Sequence, residues 1–176
     1  MDKQDKRDRF EAAVMPHLDA AYNLARWLAR DEHDAQDIVQ EAFLRAFKFF
    51  DGFHGENSRS WLLSIVRNAT FTWLQKNRKS EILTVFDEET HRLDEESADT
   101  RDSIQQADHL LVRQAMENLP AEFREVMILR ELEGLSYKEI AEIIGTPVGT
   151  VMSRLARGRK QLLGALAASL KQEGTL

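Results

Sequence analysis

The sequence predicts an all-α protein, two small helical domains joined by a flexible acidic linker. Three observations predict it. Apolar residues recur at spacings of three and four on both sides of an acidic stretch, the period of a helix with one buried face. Only 3 prolines and 8 glycines interrupt the 176 residues, and β-branched alternation is scarce. The stretch between, "EILTVFDEETHRLDEESADTRD", is dense in Asp and Glu and holds no sustained apolar period, so it buries too little surface to offset the entropy of ordering. The expected units are residues 1–80, a linker over 81–103, and residues 104–176.

Hydrophobic residues make up 43% of the chain, enough for a core. The absence of cysteine excludes a disulfide framework, thiolate zinc sites and a cysteine nucleophile, and fits a reducing cytoplasm, where the protein is expected. The opening "MDKQDKRDRFE" is charged and lacks the apolar run of a signal peptide. The longest nearly apolar run, Leu162–Leu170, is far short of the about 20 residues a spanning helix needs, so no membrane insertion is expected. The net charge of -6 conceals an uneven distribution. Asn57 to Ser80 and Ile143 to Gln172 hold no acid, while each carries five cations. Two basic patches on an acidic chain say more about partners than the total does.

In the first half, Leu18, Tyr22, Leu24 and Leu28 mark one helix. A second is expected to start at Asp34 as N-cap and to bury Ile38, Val39, Ala42, Phe43, Ala46 and Phe47. Its other side shows Asp34, Asp37, Gln40 and Glu41 near the start, where carboxylates also suit the helix dipole. That side is either a solvated face or a contact surface. A third helix, from about Ser58, carries Trp61, Leu62, Ile65, Val66, Ala69 and Trp73. Trp61 is in phase with Leu62 and Ile65 and reads as core. Interleaved with this stripe are Arg67, Asn68, Phe71, Lys76, Arg78 and Lys79. Aromatics among cations suit single-stranded DNA, because bases stack on the rings while the backbone is neutralised. Phe71 and Trp73 fit core or stacking equally.

The second half is better punctuated. Pro120 suits a first helical turn, with Phe123, Val126, Met127 and Leu129 after it and Gly134 as the stop. Ser136 and Glu139 have the spacing of a capping box, with the hydroxyl accepting from the amide three residues on and the carboxylate reaching back. Ile140, Ala141 and Ile144 give a short helix its apolar face, and Gly145 ends it. Thr146 and Pro147 are expected to restart a helix as N-cap and first residue. Two helices across so tight a turn, the second long and basic, predict a helix-turn-helix. Small Ala141 permits close crossing. Val148, Val151, Leu155 and Leu162 are expected to face inward. Thr150, Ser153, Arg154, Arg157 and Lys160 then face outward, where hydroxyl and guanidinium groups reach base edges and other cations neutralise phosphates. Free amides near Val148 and Gly149 suit a phosphate.

"GLSYKEIAEIIGTPVGTVMSRLARGRKQL" resembles region four of bacterial extracytoplasmic-function (ECF, group IV) sigma factors. "DEHDAQDIVQEAFLRAFKFFDGF" and "SRSWLLSIVRNATFTWLQKNRK" are similar to region two of the same family, in the same order. The resemblance implies a factor that binds core RNA polymerase, places it at promoters and assists melting. It implies that Met152, Ser153, Arg154, Ala156 and Arg157 read the upstream (−35) element. For the downstream (−10) element it implies a base flipped from the stack, with Arg67, Asn68, Phe71, Trp73, Lys76 and Arg78 on the reading helix and the pocket in loop 51–58. Asp34, Asp37, Gln40 and Glu41 would meet the polymerase clamp helices. The linker would thread the polymerase's nucleic-acid channels, and an anti-sigma factor is implied as a further partner. The chain departs from the family at Met152, where many members carry Lys or Arg. Thr72 and Gln75 also stand where an Asp and an Arg are common.

Nothing points to catalysis. His17, His33, His54, His91 and His109 are scattered without metal-ligand spacing, there is no glycine-rich phosphate loop, and no metal or cofactor is expected. Two other readings use the same residues, a stand-alone helix-turn-helix regulator and a sigma mimic that titrates an anti-sigma factor. The mimic fits poorly with the basic face and with the lack of a receiver-like βα pattern.

Overall fold

A computed structural model describes the chain over residues 2–81 and 100–174, with side chains placed for 2–77, 106–172 and 174. Every regular element among the described residues is helical. The acidic stretch expected to be a flexible linker lies outside them except at its ends. Glu81 closes one helix, and another begins at Thr100 rather than after Ser103.

The N-terminal half holds α1 (Lys3–Val14), α2 (Leu18–Ala29), α3 (Glu32–Phe49) and α4 (Ser58–Glu81). Helix α1 was not expected, because its charged sequence hides two buried contacts, Phe10 and Val14. The Phe10 ring meets Phe47 and Phe50 edge-on, with centroids 5.2 and 5.4 Å away. Asp31, not Asp34, caps α3: its carboxylate accepts from the Asp34 amide at 2.9 Å, and Asp34 sits one turn inside. Only Asp31 has the extended backbone that an N-cap needs. Helix α4 is held at its start by the Asn57 side chain, which accepts from the Ser60 amide at 3.0 Å. Ala21, Ala25, Ile38, Ala42, Leu62 and Val66 form the centre of one core. Burying an aliphatic side chain of the Val or Leu kind contributes about 1.5–3 kcal/mol.

The C-terminal half holds α5 (Thr100–Glu117), α6 (Ala121–Met127), a π-turn (Ile128–Leu132), α7 (Tyr137–Ile144) and α8 (Val148–Glu173). Pro120 is the N-cap of α6, one position before the expected one. Gly134 and Gly145 both adopt left-handed φ, +66° and +68°, and stop the helices before them as a residue without Cβ does at least cost. The Ser136 hydroxyl accepts from the Glu139 amide at 3.1 Å, half of the expected box. The reciprocal bond is missing from the described hydrogen bonds. Thr146 does not cap α8. Pro147 holds the N-cap position with ψ 153°, and the Thr146 hydroxyl is buried without a partner.

The two halves are packed on each other. Leu24, Leu28 and Leu63 join Met116, Val126, Ile128, Ile140 and Leu155 in one continuous apolar cluster. Arg124 pins this contact. Only 4% exposed, its guanidinium donates to the Glu117 and Leu119 carbonyls at 2.8 Å each and across to the Leu28 carbonyl at 3.2 Å. It therefore caps the C-terminal ends of α5 and α2 together, where a cation also suits both dipoles. Burial lowers its pKa to about 10, with the Arg30 charge adding to the effect and Glu117 opposing it.

Candidate nucleic-acid and polymerase interfaces

The helix-turn-helix is built as its punctuation demands. Val151 and Leu155 are buried beneath α7, with Ala141 and Leu162 packed at the margin of the same cluster. Val148, expected inside, is 40% exposed at the first position of α8. Met152, Ser153, Ala156, Arg157 and Lys160 are all exposed, and Thr150 and Arg154 half-buried. The Ser153 hydroxyl donates back to the Thr150 carbonyl at 3.1 Å, leaving its lone pairs outward. Arg154 leans toward Glu122 of α6, at 3.9 Å, and Arg159 is held by Glu131 at 2.7 Å. Gly158 was not singled out by sequence, yet it lets α8 lie on α6. A Cβ there would stand 3.1 Å from Met127 Cγ and 3.5 Å from Phe123 Cβ.

On α3, Asp37, Gln40 and Glu41 are exposed on one face, with Asp34 half-buried at its start. The same face continues into residues that sequence reasoning missed. Leu44, 74% exposed, lies with Glu41, Arg45, Lys48 and Phe49 along a shallow groove. The signal was present in "AFLRAFKFF", where apolar residues cover more of the helix than one core stripe can bury. Apolar side chains rimmed by both signs of charge suit a protein partner.

On α4 the predicted residues separate. Asn68 and Lys76 are exposed, as are Thr72 and Gln75. Trp73 packs against the N-terminal core, and Phe71 against the cluster shared by the two halves. Trp61 stacks on Phe53, with centroids 4.6 Å apart, in line with a core role. Arg78 lies on α4, but its side chain and that of Lys79 fall outside the described residues. Arg67 is turned inward. Its Nε and Nη2 donate to the two Glu125 carboxylate oxygens at 2.8 and 3.1 Å, and its plane lies 4.3 Å over the Phe71 ring. Glu125 is fully buried. Burial pushes its carboxyl above the ordinary glutamate range, and Arg67 pulls the other way. The loop 51–58 borders a cavity of about 310 Å³ lined by Asn57, Ser60, Trp61 and Ser64.

No group of three or more His, Asp or Glu side chains among the described residues is placed to hold a metal ion. No described helix is long and apolar enough to cross a membrane.

Residues 13–80 match the family described as Sigma-70 region 2, and residues 109–162 match Sigma-70, region 4. The chain is 31% identical over 176 residues to the RNA polymerase sigma-H factor of Pseudomonas aeruginosa, covering 96% of this chain and 91% of that one. It is 32% identical over 168 residues to ECF sigma factor SigW of Bacillus subtilis, covering 91% and 90%. With SigE of Mycolicibacterium smegmatis it shares 35% identity over 162 residues, 90% of this chain but only 62% of that longer one. The fold is similar to that of RpoE from Bartonella quintana, solved with the anti-sigma factor NepR, at TM-score 0.70 and 30% identity over 90% of this chain and 97% of that chain. Two sigma regions in order, on the helices that carry the outward-facing residues, lead to one conclusion: the chain belongs to the ECF family of RNA polymerase sigma factors.

Proposed function

We propose that this sigma factor divides its work between its halves. Residues 1–80 bind core RNA polymerase and handle the downstream promoter element, and residues 104–176 read the upstream one. The observation that carries this reading is the outer face of α8. It sets Met152, Ser153, Ala156, Arg157 and Lys160 in solvent on a helix-turn-helix, with no acid between Ile143 and Gln172. Ser153 and Arg154 suit base edges, Arg157 and Lys160 suit phosphates, and Thr150 lies at the helix entry. On α3, Asp34, Asp37, Gln40 and Glu41 meet polymerase, helped by Leu44. On α4, Asn68, Lys76 and Arg78 track the melted strand, with Arg67, Phe71 and Trp73 beside them. The polymerase supplies the chemistry. An anti-sigma factor is the expected regulator, as RpoE was solved with NepR. The cytoplasm is the compartment in which all these partners meet.

Two substitutions separate the halves. Arg154→Ala is expected to weaken promoter-specific initiation about tenfold or more, given about 1–3 kcal/mol for a base contact, while leaving co-migration with core polymerase on a native gel unchanged. Asp37→Ala is expected to weaken co-migration itself. If Arg154→Ala leaves initiation unchanged at every promoter tested, α8 is not the reading face.

A further inference from the structure

Four arginines converge on one residue, Glu117, which closes α5. Its carboxylate oxygen Oε1 lies 3.2 Å from Nε of Arg113 on the same helix and 3.9 Å from Nη1 of Arg26 on α2. Its backbone oxygen accepts from Arg124 Nη1 of α6 at 2.8 Å and from Nη1 of Arg30, just past the end of α2, at 3.5 Å. Helix capping accounts for only part of this. Arg124 alone reaches the Glu117, Leu119 and Leu28 carbonyls, and its Nε is left buried with no hydrogen-bond partner among the described residues. The described side-chain contacts of Arg26 and Arg113 go to the one carboxylate oxygen and cap nothing. The charge does not balance. Four guanidinium groups face one carboxylate, and the C-terminal ends of α2 and α5 add about half a negative charge each, which leaves about two positive charges uncompensated. Arg124 responds to that excess: burial first and the Arg30 charge second lower its pKa to about 10, against the pull of Glu117. The cluster also reaches water. Arg124 is buried, whereas the side chains of Arg113 and Arg26 are 49% and 25% exposed.

We propose that this cluster is a binding site for a small phosphate monoester, its dianionic head held by Arg26, Arg30 and Arg113 beside the buried Arg124. The charge of such a group, about −1.5 to −2 at neutral pH, matches the excess. Guanidinium is also the side chain that meets phosphate oxygens with paired, planar donors. In the free chain Glu117 stands in for the ligand. It engages Arg26 and Arg113 through a single oxygen, whereas a phosphate offers three oxygens to the same donors. None of the five residues belongs to the faces assigned to polymerase or to DNA, so the inference stands apart from that assignment. Occupancy adds bonds between α2 and α5, and a ligand that binds only the folded chain stabilises it by mass action.

The test titrates methyl phosphate into the full chain at constant ionic strength set with chloride. Binding is read from the phosphorus resonance line width and from the midpoint of thermal unfolding. The wild type is expected to show one saturable site and a rising midpoint, and to bind acetate, a monoanion, about tenfold more weakly. Arg113→Gln, at an exposed position, is expected to weaken methyl phosphate binding about tenfold or more, as loss of a charge-assisted contact does. Arg30→Asn is expected to do the same, since Asn tolerates the left-handed φ of 61° that Arg30 adopts. Glu117→Gln is expected to tighten binding about tenfold, because it removes the competing carboxylate, an outcome that a misfolded variant does not produce. Lys138→Gln, exposed on α7, is expected to change nothing. Binding that does not saturate, or that falls equally in Arg113→Gln and Lys138→Gln, is general attraction to a cationic surface and overturns the proposal. Unchanged or weaker binding by Glu117→Gln overturns it too, because the arginines are then already satisfied. Displacement of methyl phosphate by a 12-base-pair duplex, lost in Arg113→Gln, would give the cluster to a DNA backbone and overturn the small-molecule ligand.

Discussion

Arg124 concentrates the energetics of the molecule in one side chain. Its head group satisfies three carbonyls at the ends of two helices, and it is buried far enough for its pKa to fall to about 10. Replacing it with Ala takes this donor from the Leu28 and Leu119 carbonyls in an apolar setting and leaves the Glu117 carbonyl only the long contact from Arg30 Nη1 at 3.5 Å. Hydrogen bonds to a charged group contribute about 1.5–3 kcal/mol each, and buried groups left unmade cost a similar amount. Arg124→Ala is therefore expected to lower stability by about 3 kcal/mol or more in urea unfolding; a loss within about 0.5 kcal/mol would mean that water reaches the site. Met152 is the opposite kind of residue, 52% exposed on the reading face with a thioether where a cation is common in the family. Met152→Lys is expected to add one phosphate contact. Promoter affinity of the polymerase complex should rise, and the plot of log K against log salt should steepen by about 1. An unchanged slope would place residue 152 away from the backbone.

At the scale of elements, much of the molecule was legible because the relevant chemistry is local. Ser136, Gly134 and Gly145 act on amides and carbonyls within a few residues, and the 3.6-residue period separates Val151 and Leu155 from Ser153 and Arg157 without reference to any other helix. Cap positions slipped where two residues compete for the same role. Asp31 stands three residues ahead of Asp34, and Pro147 just after Thr146, and backbone angles that sequence does not display decide between them. Val148 slipped because a periodic stripe extends past the point where a covering helix ends. Helix α3 carries the main prediction at this scale. Leu44 is too exposed to support the core, so Leu44→Ser should leave thermal unfolding unchanged while weakening core polymerase binding about tenfold, as loss of an apolar anchor does. Equal binding by the variant would remove the apolar groove from the polymerase surface.

The arrangement of the two halves was the least legible feature. Leu24, Leu28 and Leu63 each fit an amphipathic pattern, and no pattern names the distant helix that covers them. Arg67 and Glu125 are 58 positions apart, and each alone reads as a surface charge. Their pairing decides what the free protein presents, because it draws an expected DNA-binding cation into a buried ion pair. The chain's acidity is likewise local. The acid-free faces of α4 and α8 stand apart from it, so DNA recognition by a protein of net charge -6 carries no contradiction. Promoter-directed initiation is tested most directly by single-round transcription by purified core polymerase on genomic fragments of the source organism, with and without this protein. Discrete transcripts are expected that appear only when the protein is present and are abolished together by Asp37→Ala and Arg154→Ala combined. A transcript pattern identical with and without the protein would contradict it.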